Sequence, residues 1–119
     1  MKKVNKVWGE EKWIVNRDYC GKVLILNKGF KCSMHKHKIK DETFYMNKGK
    51  ILLEYGDDKS IMYPGDVQLI EPGVYHSFTG LEDSEIIEFS THHRDDDSYR
   101  KDSSGKVDLS SIKLPEEKK

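Results

Sequence analysis

The chain has 119 residues, 35% of them hydrophobic and 35% charged, with 21 basic side chains balancing 21 acidic ones. Its length suits one compact domain, and its zero formal net charge argues against a general nucleic-acid binder. No apolar run approaches the roughly 18 residues of a membrane-spanning helix, so no membrane partner is expected.

In chain order, the start "MKKVNKVWGEEKW" is basic but lacks the apolar stretch of a secretory signal, so the expected location is the cytoplasm. Cys20 and Cys32 fit a reducing compartment and are expected to be small core-facing hydrophobes. Short apolar runs then recur, each closed by glycine, proline or aspartate: "KWIVN", "KVLILNKG", "ETFYMNKGKILLEYGD", "KSIMYPGD", "VQLIEPG", "YHSFTG" and "SEIIEFS". They are rich in Val, Ile, Leu, Tyr and Phe, and several alternate with polar residues. That pattern predicts an all-β sandwich or barrel. No segment sustains a 3.6-residue apolar period, so little helix is expected. "YGDDKS" predicts a tight hairpin turn, because Gly and Asp tolerate the backbone such turns need. The barrel is expected over residues 1–93, including an N-terminal strand segment. Residues 94–119 read as a polar tail, partly ordered at most and disordered from about Pro115.

The chemistry concentrates in "HKHKIKDE", residues 35 to 42. On a strand, residues i and i+2 point to one face, so His35 and His37 project together. Two imidazoles so placed suit one metal ion, and Glu42 can add an oxygen after a short turn. A third imidazole, His76, follows the proline–glycine turn in "EPGVYHSF". Three histidines and one carboxylate leave a divalent ion with open positions, which is the donor set of a catalytic rather than a structural site.

Gly29, His35, His37, Glu42 and Gly49 are spaced as in the first cupin motif, and "GDVQLIEPGVYHSF" resembles the second through Gly65, Pro72, Gly73 and His76. Glu71 stands where proline is usual, and Gly80 where an asparagine is. The two motifs are separated by positions 50 to 64, and the resemblance covers roughly residues 22 to 90. It implies a small double-stranded β-helix, or jelly-roll, with one divalent metal ion (Zn, Mn, Fe, Co or Ni) in one mouth. It also implies that His35, His37, Glu42 and His76 are the ligands. Small cupins resemble one another in dimerising through sheet edges, so a homodimer is expected, with "KVWGEEKWIVN" as the pairing edge strand.

Three looser likenesses point to sugar-isomerising cupins. "VWGEEKWIVN" and "IIEFSTHHRDDDSYRKDSSG" resemble the opening and closing segments of the type II phosphomannose isomerase cupin domain, with Asp96, Asp97, Arg100 and Asp102 in the closing motif. Lys40 stands where D-lyxose isomerases, also cupins, carry a lysine. The resemblance implies a metal-dependent isomerase or epimerase acting on a sugar or sugar phosphate. In such a reaction an enediol-type proton transfer uses a base, an acid and a Lewis-acidic metal. Lys40 and Glu88 are the candidate acid–base residues, with Glu54 a weaker one, and Arg100 suits a substrate phosphate or carboxylate. Glu88 is expected to face inward with Ser90 while Ile87 and Phe89 face outward. His92 and His93 lie just past the last barrel strand, where surface placement is the plainer expectation. The same ligands fit a non-haem iron dioxygenase, and a non-catalytic carbohydrate-binding or regulatory module is the third reading.

Overall fold

The structure is a computed structural model that describes residues 1–115. Among the described residues there is no α-helix, only strands and two single turns of 3-10 helix at Asp95–Asp97 and Leu109–Ser111. The expectation of disorder from about Pro115 concerns residues 116–119, which lie outside the described residues.

The strands form two sheets of a jelly-roll. The first holds six strands in the order β1 (Lys2–Lys6), β2 (Gly9–Asn16), β3 (Tyr19–Leu26), β11 (Ser84–Thr91), β6 (Glu42–Lys48) and β9 (Val67–Ile70). The second runs β12 (Tyr99–Arg100), β5 (His35–Lys36), β10 (His76–Gly80), β4 (Phe30–Lys31) and β13 (Gly105–Lys106). Its strand β7 (Ile51–Tyr55) pairs both β10 and β8 (Asp58–Met62). All pairings are antiparallel, so inward and outward side chains alternate along each strand. In β3, Cys20, Lys22, Leu24 and Leu26 point in. In β11, Ser84, Ile86 and Glu88 are buried and Phe89 is exposed, as the sequence pattern requires.

The inner faces of both sheets merge in one core that includes Leu24, Leu26, Phe44, Met46, Ile51 and Phe78. Trp8, in the turn between β1 and β2, plugs this core and meets Phe78 edge-on, with ring centroids 5.3 Å apart. Gly56 makes the expected hairpin turn between β7 and β8 with a positive φ, while no non-glycine residue among the described residues has one. This is the type II′ pattern, which matches strand twist.

Two expectations change. "KVWGEEKWIVN" is not an edge: β2 pairs β3 on one side and β1 on the other. The preceding "KKVNK" forms the edge strand instead, and its lysines suit an exposed sheet margin. The polar segment after residue 93 also contributes strands. β12 pairs β5 and β13 pairs β4, and Asp97 is buried.

Candidate metal centre and its cavity

His35 and His76 face each other as a cross-strand pair between β5 and β10. His37 follows in the loop after β5. The ring nitrogens of His35, His37 and His76 lie within 4.8 Å of one another. Each ring is fixed through Nδ1. His35 Nδ1–H donates to the Ser33 carbonyl at 2.7 Å, His76 to Val74 at 3.0 Å and His37 to Asp97 at 2.7 Å. All three Nε2 atoms are thereby left as acceptors, the arrangement in which histidine binds a metal.

Glu42, at the start of β6, stands beside two of these rings. Its Oε2 is 3.3 Å from His76 Nε2 and 3.5 Å from His37 Nε2. Among the described residues, Glu42 Oε2 and His76 Nε2 are buried without a hydrogen-bond partner. Two acceptors facing each other across 3.3 Å repel, and a cation in the gap would relieve them. The donor set of imidazoles and carboxylate fits a divalent transition metal or zinc.

The other candidates fall around this cluster. Register on the inner face of the first sheet aligns Trp13 with Lys22, Lys22 with Glu88, and Glu88 with Phe44. The next row aligns Cys20 with Ser90 and Ser90 with Glu42. Lys40 is buried, and its Nζ reaches Glu42 Oε1 at 3.0 Å, Glu88 Oε2 at 3.2 Å and His93 Nδ1 at 2.9 Å. Ser90 donates to Glu88 at 3.0 Å. Arg100 is exposed on β12 at the cavity rim, and Glu54 on β7 does not line the cavity. His92 is exposed, whereas His93 is half-buried on the cavity wall, against Lys40 and Trp13.

Electrostatics follow from this crowding. Burial and the neighbouring His76 push the His35 pKa down to about 3, and burial also lowers that of His37. Burial opposes the Glu42 carboxylate, yet its contact with His76 and the charge of Lys40 hold its pKa well below the usual range. Burial likewise opposes the Lys40 ammonium, but Glu88 and Glu42 hold its pKa above the ordinary lysine value. Glu88 goes the other way, raised by burial and by the Glu42 charge. Burial and Lys40 bring His93 down to about 4.

The sequence reading missed Lys22 and Glu11. Lys22 is 1% exposed, sits 4.1 Å over the Trp13 ring and pairs with Glu11 at 3.4 Å. Its signal was parity, a lysine in step with the inward Leu24 and Leu26. Together these residues line a cavity of about 680 Å³ that reaches from the histidines to the N-terminal strands.

Fold and centre define a class: a small jelly-roll with an imidazole–carboxylate cluster opening into one cavity. The model of the cupin domain (Cupin_2) matches residues 22–90, and the chain belongs to the cupin family. Among solved structures it is similar to KdgF from Halomonas sp., with 25% identity and a TM-score of 0.69 over 73% of this chain and 81% of that one. An RmlC-like cupin from Shewanella frigidimarina is 17% identical, with a TM-score of 0.68 over 73% of this chain and 78% of that one. Oxalate decarboxylase from Bacillus subtilis is 16% identical with a TM-score of 0.73; 84% of this chain matches, but only 30% of the decarboxylase. The comparison with curated proteins gives no match. No helix among the described residues is long and apolar enough to cross a membrane.

Proposed function

We propose that the chain binds one divalent metal ion through His35, His37, His76 and Glu42 and moves a proton on a sugar or sugar phosphate held beside it. The observation that carries this reading is the Lys40 ammonium buried between Glu42 and Glu88, with Glu42 also beside the Nε2 atoms of His37 and His76. A metal with open positions would polarise a substrate oxygen. Glu88, with its raised pKa, is the base that takes a proton from a substrate carbon. Lys40 donates hydrogen bonds to the neighbouring oxygen and is steadied by His93. Arg100 on the rim supports a phosphorylated or carboxylated substrate. The expected homodimer belongs to the same reading. It is supported by Tyr45, Val67, Leu69 and Phe89, exposed on the outer face of the first sheet, and a monomer in sedimentation would remove it.

The test is turnover of metal-loaded protein with aldoses, ketoses and their phosphates in deuterated water, followed by NMR, with an oxygen electrode alongside. Deuterium incorporation at C1 or C2 without oxygen uptake is the expected result. Oxygen uptake with iron alone would replace the reading with a dioxygenase. Tight metal binding with neither response would replace it with a non-catalytic binding module.

A further inference from the structure

The segment after the last long strand lies along the ligand-bearing segment residue by residue. Ser104 Oγ accepts the Ser33 N–H at 2.9 Å, and Asp102 Oδ1 accepts that of Met34 at 2.6 Å. The Lys101 N–H returns to the Met34 carbonyl at 2.8 Å. Arg100 then pairs His35 and Tyr99 pairs Lys36 in the β12–β5 ladder. Ser98 Oγ lies 3.4 Å from His37 Nδ1.

Asp97 closes the series. Residues 37–41 belong to no strand, so the sheet gives their N–H groups no partners. The Asp97 carboxylate takes three of them. Oδ1 accepts from Lys38 at 2.9 Å, Oδ2 from Lys40 at 3.0 Å, and both oxygens lie 3.2 Å from the Ile39 nitrogen. Its own carbonyl accepts the His37 Nδ1–H. One buried residue thus sets the ring orientation of His37 and the backbone that carries Lys40. Its neighbour Asp96 is exposed and pairs only with Arg94 among the described residues.

We infer that residues 97–104 are a working part of the metal centre, and that Asp97 is a positioning residue that couples docking of this strap to metal binding. The inference rests on the histidines being metal ligands. An outer partner that orients a metal-bound histidine is commonly worth 10–100-fold in affinity. Coupling of this kind is reciprocal: if the docked strap favours the metal, the metal favours the docked strap.

The experiment titrates metal-free wild type, D97N and D96N with zinc and with manganese, each against a competing chelator. D97N is expected to bind about 10–100-fold more weakly, and D96N like wild type. Because D97N could fail to fold, amide hydrogen exchange is measured on wild type with and without zinc. Zinc is expected to slow the Lys38, Ile39 and Lys40 amides more than those of the β7–β8 hairpin. Equal slowing everywhere, or equal zinc affinity in folded D97N, overturns the inference and leaves the ligand assignment standing. Wild type that binds neither metal overturns the ligand assignment, and the inference with it.

Discussion

Replacing Lys40 with methionine keeps most of the side-chain volume and removes the cation between Glu42 and Glu88. Those carboxylates lie 3.0 Å and 3.2 Å from Nζ, with side chains only 2% and 4% exposed. Removing one partner from a buried ionic cluster costs about 3–5 kcal/mol, because the remaining charge is uncompensated. Glu88 limits the loss by taking up a proton, since burial and Glu42 already raise its pKa. A carboxyl whose folded pKa exceeds its unfolded one binds the proton more tightly in the fold, so its contribution to stability falls as pH rises through that window. The penalty should therefore grow as pH rises, and it is compared at about pH 5 and about pH 8. A loss of about 3 kcal/mol lowers the melting temperature of a chain this long by roughly 12 °C. Circular-dichroism melts of metal-free K40M and wild type at both pH values measure it. Adding Glu88→Gln removes the stranded charge and should recover most of the loss. Equal melting temperatures at the higher pH would refute the idea that Lys40 compensates this pair.

His37→Ala or His76→Ala should abolish stoichiometric metal, read by elemental analysis; unchanged content in either removes that residue from the ligand set. In chelated protein, His35 is held near 3, well below its ordinary 6.5, so the unfolded chain binds the extra proton between those values and stability rises with pH across that window. His35 alone should make the fold less stable at about pH 5 than at about pH 7.5, by up to about 2 kcal/mol, and His93 acts in the same direction. Glu88 acts in the opposite direction, so the comparison is made in the E88Q background, where a melting temperature flat over that range would contradict both shifts. Gly49 has a positive φ, and a Cβ there would collide with the Asp83 carbonyl and Ser84. Gly49→Ala should cost more than about 2 kcal/mol in urea unfolding, and a smaller loss would mean the turn can shift.

The parts of the fold and site that were legible in the sequence are those governed by short-range periodicity. His35 and His37 share a face because strands repeat every two residues, and Glu88 faces inward with Ile86 for the same reason. Lys22 obeyed that rule too, but a lysine at the start of an apolar run passes for a surface residue when no partner is in view. Its partners, Glu11 and the Trp13 ring, come from a neighbouring strand. The segment after residue 93 was hidden for a different reason. Composition reports how much apolar surface a segment can bury, whereas Asp97, Asp102 and Ser104 are held by accepting backbone N–H groups. A polar sequence is well suited to that. The edge strand β1 was obscured because "KKVNK" has a single apolar residue, and its place is set by the register of β2.

The lock on His37 comes from a residue 60 positions further along the chain, and that separation orders events during synthesis. The nascent chain exposes the HKH pair first, then Glu42, then His76, and only later the aspartate that fixes the first loop. A metal ion captured early would be held by two mobile imidazoles, and such a site favours copper and zinc by the general affinity order, whatever the completed cavity prefers. The geometry that can discriminate among ions exists only once the last segment has docked. A metal selected by that geometry would therefore be selected after the chain has folded.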